Sequence, residues 1–251
     1  MLYEIFLAFI QAATEFFPVS SSGHLALVEI VFKQKPNILF FTFLHLASLF
    51  AVIIFTRKEI IKLLSFEKQY RKMWLYLVIA TIPAAVIGSF FNSRIESSFS
   101  SILFLSLAFI FTGTILIFTR FYRYYSEINW KISLFVGFFQ VFALFPGISR
   151  SGMTISAGLF TGLNKEEAAK FSFLISIPVI FGAFLLELIK TTVNLSLMYL
   201  WVIPFLICFV FSLLFLNFLC YIIKKGNFWM FSFYCFLVGI ASLLLYFYTQ
   251  L

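Results

Sequence analysis

Apolar runs long enough to cross a bilayer recur from one end of this chain to the other. A transmembrane helix needs about 20 predominantly apolar residues. Six runs of about this length lie at roughly 38–56, 73–91, 101–119, 168–189, 197–222 and 228–249. Because 63% of the residues are hydrophobic and only 11% are charged, an ordinary soluble domain is excluded. We therefore predict an all-α, polytopic membrane protein that forms a single integral membrane domain over residues 1–251.

Two further apolar segments, residues 2–32 and 132–162, are each interrupted in the middle. The first is broken at 18–23, which reads Pro-Val-Ser-Ser-Ser-Gly, and the second at 145–149, which reads Phe-Pro-Gly-Ile-Ser. Proline disfavours a helix at the residue before it, and serine is a preferred N-cap of the helix that follows. Each segment is therefore predicted to be a re-entrant helix-break-helix hairpin whose broken backbone is buried in protein or lines a cavity.

The two interrupted segments are related by an offset of 129 positions. Phe-Ile-Gln at 9–11 corresponds to Phe-Phe-Gln at 138–140, and Val-Ser-Ser-Ser-Gly at 19–23 corresponds to Ile-Ser-Arg-Ser-Gly at 148–152. This correspondence predicts two repeats, one at about 1–125 and one at about 126–251. Each half is predicted to contain one hairpin and three crossings, and because three is odd, the second half is inverted relative to the first. The two broken tips are then expected to meet near the middle of the bilayer.

Basic residues are divided unevenly between the two predicted faces of the membrane. Loops on one face carry thirteen Lys and Arg residues, whereas loops on the other carry four: Lys33, Lys35, Arg94 and Lys190. The richer face is therefore predicted to be cytoplasmic, which puts both termini and the mouth of the first hairpin on the outer face. The formal charge of +8 suits anionic lipid, and basic residues confined to short loops do not favour nucleic acid as a partner.

The first hairpin contains most of the polar chemistry of the chain. Gln11 and Glu15 are four residues apart and share a helix face, and Ser21 and His24 are three apart on the returning helix. Such groups are costly at membrane depth and mark a functional site. In the second hairpin Leu144, Arg150 and Met153 stand where the first has Glu15, Ser21 and His24. One copy thus provides an acid, a nucleophile and an imidazole, and the other provides a cation.

Both broken tips suit a strongly anionic ligand. The first tip, residues 20–23, and the second tip, residues 147–152, each open a helix, whose free N–H groups and dipole favour phosphate. The guanidinium of Arg150 can donate two parallel hydrogen bonds to phosphate oxygens. Thr154 lies one turn further along the same helix face. Glu15 beside such a ligand would be a general base or a ligand of a divalent metal.

Several of these residues also have a structural interpretation. Ser20, Ser22 and Ser151 suit helix caps, and Gln11 and Gln140 suit either ligand contact or tying down the broken backbone. Gly23, Gly147 and Gly152 suit the backbone geometry of the tips. His45, the second histidine within an apolar run, is predicted to form a hydrogen bond to a neighbouring helix, with a functional role as the alternative.

Residues 11–24, Gln-Ala-Ala-Thr-Glu-Phe-Phe-Pro-Val-Ser-Ser-Ser-Gly-His, together with residues 146–154, Pro-Gly-Ile-Ser-Arg-Ser-Gly-Met-Thr, resemble the bacterial undecaprenyl-diphosphatase family of the bacitracin-resistance type. The resemblance covers nearly the whole chain. It implies removal of one phosphate from a C55 isoprenoid diphosphate, which recycles the carrier lipid of cell-wall synthesis in the bacterial inner membrane. It also implies a Mg²⁺ or Ca²⁺ requirement and a possible homodimer. Gln11 fits the family pattern, but leaves this site one carboxylate fewer than a glutamate there would give.

The roles expected from the residues and the resemblance are as follows. Ser21, or alternatively His24, attacks the terminal phosphorus; Glu15 accepts the proton or holds the metal, and His24 assists. Arg150 neutralises phosphate charge. The substrate-binding set comprises Gln11, Ser22, Gly23, Gln140, Gly147, Ser149, Ser151 and Thr154. The alternative is a transporter of polyprenyl phosphate or another anion, since inverted repeats are a transporter plan, but transport needs no Glu-Ser-His cluster in one repeat only.

Overall fold

The computed structural model describes residues 1–34, 37–65, 67, 70–121, 123–190 and 199–250. Lys35, used above to predict orientation, and the start of the predicted run 197–222 lie outside these residues. The described residues form only helices, turns and connecting segments, which confirms the all-α prediction. The α-helices are α1 Leu2–Glu15, α2 Ser21–Val31, α3 Ile38–Phe55, α4 Arg57–Leu64, α5 Arg71–Ser98, α6 Ile102–Phe118, α7 Trp130–Phe142, α8 Arg150–Phe160, α9 Lys165–Lys190, α10 Val202–Lys225 and α11 Phe231–Gln250.

Six described segments are long and apolar enough to cross a membrane. They are Ile38–Phe55, Arg71–Phe91, Ile102–Phe121, Lys165–Lys190, Tyr199–Lys225 and Phe228–Thr249. Their mean hydropathy lies between 1.9 and 2.6, and large apolar side chains such as Leu237 and Leu244 are exposed on their outer faces. A surface of this kind is stable against lipid and not against water. The prediction of six transmembrane helices is therefore confirmed.

The helix-break-helix character of both interrupted segments is also confirmed. α1 and α7 contain 14 and 13 residues, and α2 and α8 contain 11 residues each. At 1.5 Å per residue, even α1 is only about 21 Å long, against a hydrocarbon core of about 30 Å. None of these four helices can cross a bilayer alone. That each pair enters the membrane and returns to the same side stays a prediction.

Helices that correspond through the 129-residue offset pack in corresponding ways. The bounds of α2, shifted by 129, fall on the bounds of α8. α5 packs on α7 as α10 packs on α1, while α3 packs on its counterpart α9 and α6 on its counterpart α11. A two-fold relation between halves produces this pattern of pairs. The division near residue 125 and the opposite orientation of the halves stay predictions.

The two tips lie against one another inside the helix bundle. The backbone N–H of Gly147 donates to Ser20 Oγ at 3.0 Å, across the boundary between the hairpins. A Cβ placed on Gly23 would lie only 2.6 Å from Gly147 Cα, so glycine is required for this approach. The ends of α1, α2 and α8 are thereby brought to one place, and that place contains the candidate site.

Candidate active site

The first tip is a strained turn that folds the start of α2 back over the end of α1. Ser20 has a φ of 65°, a left-handed conformation that is uncommon for a residue other than glycine. Its Oγ accepts a hydrogen bond from Gly23 N at 3.3 Å and so caps α2, as predicted. Strained backbone of this kind is concentrated at functional sites. The turn places Ser21, the first residue of α2, within reach of Glu15, the last residue of α1.

The second tip presents Arg150 at the start of α8. Gly147 has a φ of 89°, which glycine adopts without steric cost, and Ser149 Oγ caps α8 by accepting from Gly152 N at 3.1 Å. Thr112 of α6 holds this tip in place through two hydrogen bonds to its backbone. Its Oγ1 donates to the Gly147 carbonyl at 3.0 Å and accepts from Ser149 N at 3.3 Å. Thr112 was not among the predicted site residues because its role depends on the packing of α6 against the tip.

The carboxylate of Glu15 is the centre of the site. Its Oε1 accepts a hydrogen bond from Arg150 Nη2 at 2.7 Å. Its Oε2 accepts from Ser21 Oγ at 2.6 Å and from Gln11 Nε2 at 3.0 Å. Only 7% of Glu15 is exposed, so its charge requires this compensation. The structure thus brings together Gln11, Glu15, Ser21 and Arg150, from both hairpins.

Of the two histidines, His45 and not His24 lies beside Ser21. His45, predicted to bond a neighbouring helix, contacts the first hairpin, with Nε2 at 3.3 Å from Glu15 Oε2 and 3.4 Å from Ser21 Oγ. His24, expected beside Ser21, has Nδ1 at 2.8 Å from the Ser20 carbonyl and Nε2 at 2.8 Å from the Tyr234 hydroxyl of α11. Both nitrogens of His24 are therefore engaged, and its ring is stacked on Tyr234. The expected contact between His24 and Ser21 is replaced by one between His45 and Ser21.

A sequence signal for His45 did exist. The cost of a polar group at membrane depth, which singled out Glu15 and His24, applies equally to a histidine in the middle of the span α3. What the sequence did not contain was the neighbour of that histidine, because α3 and the first hairpin meet only through tertiary packing.

The remaining predicted residues divide into two groups. Ser22 and Ser149 line the same cavity as Glu15 and Ser21, whereas Gly23 and Gly147 form the contact between the tips. Ser151 Oγ donates to the Phe17 carbonyl at 3.3 Å and so also joins the hairpins.

Two members of the predicted substrate-binding set contact neighbouring helices. Gln140 Nε2 donates to the Ala80 carbonyl of α5 at 3.2 Å. Thr154 Oγ1 lies 2.6 Å from Ser172 Oγ of α9 and donates to the Arg150 carbonyl. In this structure Gln140 and Thr154 hold the second hairpin in place and do not line the cavity.

The cavity over Glu15 is polar at one end and continues into an apolar trough. It has a volume of about 210 Å³ and shares Ile38, Leu144 and Val179 with a neighbouring cavity of about 270 Å³. That second cavity shares Ala85 and Pro178 with a third of about 580 Å³, lined almost entirely by apolar side chains. We call the second and third cavities the apolar trough. It follows α5 and α9 and is suited to a long hydrocarbon chain whose polar end reaches Glu15.

Two buried polar atoms in the cluster have no hydrogen-bond partner among the described residues. They are Arg150 Nη1 and Gln11 Oε1. A buried donor without a partner is costly, so each such group requires an explanation. Arg150 Nη1 lies on a guanidinium whose Nη2 is bonded to Glu15, which leaves an unused donor in a fixed orientation. A phosphate oxygen is the ligand that such a donor suits.

The donor set does not suit a resident divalent cation. Within the described ranges, no group of three or more His, Cys, Asp and Glu side chains is arranged to hold a metal. Both oxygens of Glu15 already accept hydrogen bonds, one of them from a guanidinium. Hard cations such as Mg²⁺ and Ca²⁺ need several oxygen ligands, and a neighbouring positive charge repels them. Of the buried side-chain oxygens in this cluster, Gln11 Oε1 has no hydrogen-bond partner among the described residues, and a single amide oxygen is too few.

Comparison with known proteins gives a consistent result. Residues 4–241 match the family model described as bacitracin resistance protein BacA. The chain is 42% identical over 245 residues to the undecaprenyl-diphosphatase of Thermosipho africanus, covering 95% of this chain and 97% of that protein. It is 40% identical over 252 residues to the undecaprenyl-diphosphatase of Methanococcus vannielii, covering 97% and 98%. For the undecaprenyl-diphosphatase of Korarchaeum cryptofilum the identity is 34% over 253 residues, covering 95% and 97%.

Proposed function

Because the chain belongs to the bacitracin resistance protein BacA family, we propose that it hydrolyses undecaprenyl diphosphate to undecaprenyl phosphate and inorganic phosphate. Such an enzyme recycles the cell-wall carrier lipid and confers bacitracin resistance. The observation that carries the proposal is the contact of Ser21, Glu15 and Arg150 across the two tips, at the polar end of the apolar trough. A nucleophile, an anchored acid and a phosphate-binding cation are the groups that this hydrolysis needs.

The substrate is placed with its diphosphate in the cavity over Glu15 and its isoprenoid chain in the apolar trough. Arg150 Nη1 and the free N–H groups at the starts of α2 and α8 bind the phosphate oxygens. The trough runs between α5 and α9, where Glu96 and Lys190 form an ion pair of 3.3 Å at its edge. A lipid can enter sideways between these helices without leaving the bilayer. We propose that this entrance faces the outer leaflet of the bacterial plasma membrane, as the charge bias of the loops indicates.

The hydrolysis proceeds in two displacements. Ser21 Oγ attacks the terminal phosphorus, the bond to the bridging oxygen breaks, and undecaprenyl phosphate leaves. Water then attacks the phosphorylated serine and releases inorganic phosphate. Glu15 aims the serine hydroxyl through its 2.6 Å hydrogen bond and holds Arg150 in position. Arg150 offsets the negative charge of the transferring group, since phosphoryl transfer depends mainly on positioning and charge stabilisation.

Ser21 is preferred over His24 as the nucleophile because of their contacts. Ser21 Oγ lines the cavity and is bonded to Glu15, whereas both nitrogens of His24 are bonded elsewhere. His24 instead supports the strained turn at Ser20, whose carbonyl it binds.

No step of this mechanism passes through a divalent cation, since the donor set does not suit one. The homodimer implied by the family resemblance stays a prediction, and so does the Mg²⁺ or Ca²⁺ requirement, against which the donor set argues. Both are open to direct measurement, by chelation and by sedimentation in detergent.

Phosphate release from undecaprenyl diphosphate in detergent tests the proposal. The parent chain is expected to release phosphate and Ser21→Ala to release none above background. A phosphoenzyme trapped by acid quench is expected to survive acid, as a phosphoserine does, whereas a phosphohistidine is acid-labile and would identify a histidine as the nucleophile. If the parent releases no phosphate from any prenyl diphosphate, hydrolysis is excluded, and the alternative of transport through the paired halves is favoured.

A further inference from the structure

His45 has one nitrogen whose protonation is set by the backbone. Its Nδ1 lies 2.7 Å from the Phe41 carbonyl oxygen, and a carbonyl oxygen only accepts hydrogen bonds. Nδ1 therefore carries the proton in the neutral ring, which leaves Nε2 as the basic nitrogen. That nitrogen faces Ser21 Oγ at 3.4 Å and Glu15 Oε2 at 3.3 Å. In the neutral ring, α3 thus presents the unprotonated imidazole nitrogen to the proposed nucleophile.

We propose that His45 is the general base that accepts the proton of Ser21, an inference that rests on the proposed function. A distance of 3.4 Å is long for a finished hydrogen bond, but contacts of this kind tighten when substrate binds. Ser21 and His45 line the same cavity, and at 3.4 Å no other atom fits between Oγ and Nε2.

Glu15 is the rival base, and its surroundings argue against it. Besides the hydrogen bond from Ser21, its Oε1 is bonded to the Arg150 guanidinium and its Oε2 also accepts from the Gln11 amide, so the lone pairs of the carboxylate are largely engaged. A carboxylate is also the weaker base by type, since imidazole ordinarily has a pKa about two units higher. In this arrangement Glu15 orients the Ser21 hydroxyl and then stabilises the positive charge that forms on His45 when it accepts the proton. The charged groups facing His45 are Glu15 itself and, behind it, Arg150.

The proton balance closes over the two displacements. In the first, the Ser21 O–H bond breaks as the Ser21 O–P bond forms, and the proton moves to His45 Nε2 while undecaprenyl phosphate leaves with the bonding electrons. The imidazolium then loses that proton to solvent. In the second, water attacks phosphorus and gives a proton to His45, the Ser21 O–P bond breaks, and the leaving Ser21 oxygen takes that proton from His45. The sum is one diphosphate bond and one water consumed and one proton released to solvent, with no other reactant.

The test compares His45→Gln with a control on the same helix. Ser48→Ala alters α3 one turn further on, at a buried hydroxyl that bonds Ser212 of α10 at 3.1 Å and lies outside the cavity. Turnover of undecaprenyl diphosphate in detergent gives kcat and KM for each. We expect His45→Gln to lower kcat by about 10²–10⁴-fold, the usual contribution of a general base, with KM changed less than about threefold. Ser48→Ala should stay within about threefold of the parent in both constants.

Chemical rescue separates a base from a structural residue. In His45→Gly, added imidazole is expected to restore phosphoserine formation in a concentration-dependent way, and to have no effect on Ser21→Ala. The inference is overturned if folded His45→Gln keeps kcat within about tenfold of the parent, or if its loss is entirely in KM. If His45→Gln does not fold, the rescue of His45→Gly decides, and its absence in a folded protein counts against the inference. A parent without phosphate release would instead remove the proposed function itself.

Discussion

The two tips share one backbone design and carry different side chains. Each opens a helix of 11 residues with a serine that accepts from a glycine three residues on, at 3.3 Å in the first and 3.1 Å in the second. Each also contains one residue in the left-handed region, Ser20 or Gly147. The first tip adds Ser21 beside Glu15, and the second adds Arg150. The backbone therefore provides two similar helix starts, and in the proposed mechanism the division of side chains makes only one of them nucleophilic.

Removing one serine hydroxyl from each tip, Ser21 in the first and Ser151 in the second, tests this division. The loss of Ser21 has the largest effect that we expect. Ser21→Ala is expected to lower phosphate release by on the order of 10⁴-fold or more, as loss of a nucleophile does. Ser151→Ala removes a hydroxyl from the second tip that bonds a backbone carbonyl, and should cost less than about tenfold. Steady-state release in detergent measures both. Equal losses would show that the tips are chemically equivalent.

Replacing the cation of the second tip is expected to have the next largest effect. Arg150→Met should lower kcat by about 10²–10³-fold, because a preorganised charge partner of the phosphate is lost. It also leaves Glu15 buried without its partner, at a cost of about 3–5 kcal/mol in stability.

The double variant Glu15→Gln, Arg150→Met separates these two effects. It should recover most of the melting temperature of the parent but none of the activity. A double variant as unstable as Arg150→Met alone would show that the ion pair does not account for the instability.

A substitution at Gly147 tests whether the tips need their close contact, and its expected effect on stability is intermediate. An alanine Cβ at Gly147 would lie 2.6 Å from Ala108 Cβ, at a φ of 89° that strains any L side chain. We expect Gly147→Ala to lower the stability by about 2–4 kcal/mol, measured as a shift in thermal unfolding in detergent. Gly182→Ala is the matched control, because nothing lies within 4 Å of its Cβ. A Gly147 variant that melts with the control would mean that the tips do not need this close approach.

The smallest expected effect comes from a second carboxylate beside Glu15, introduced at position 11 of α1. Gln11→Glu places a second carboxylate one turn from Glu15, where the parent has an amide that donates to it. We expect a chelator to change the parent rate by less than about threefold, and the variant to become more sensitive to added Mg²⁺, since a second carboxylate is a better cation ligand. A parent inactivated by chelation and restored by Mg²⁺ or Ca²⁺ would contradict our assessment of the donor set.

The architecture and much of the site could be predicted because their signals are local. The length of the apolar runs gave the six spans, and proline, glycine and serine at 18–23 and 145–149 marked the two breaks. The cost of burying charge pointed to Glu15 and Arg150, which the structure places 2.7 Å apart. Their distance in sequence is 135 residues, and the repeat offset was what connected them.

What could not be predicted depends on which helices become neighbours. Helix-face arithmetic placed His24 beside Ser21, but it contained no information about Tyr234 or the Ser20 carbonyl, which bind both nitrogens of His24. His45 reaches the site from α3, and Thr112 braces the second tip from α6. Both depend on the docking of whole helices, a property of the finished bundle that no single segment encodes.

The hydrogen bond from Gly147 to Ser20 also has a consequence for biogenesis. During synthesis the amino-terminal half enters the membrane first, with its acid and serine but without the guanidinium that completes them. A chain whose carboxyl-terminal half has not yet docked lacks the guanidinium that bonds Glu15 and, by the proposed mechanism, is inactive. Catalytic competence begins only when the carboxyl-terminal half has docked, so that activity itself reports complete assembly.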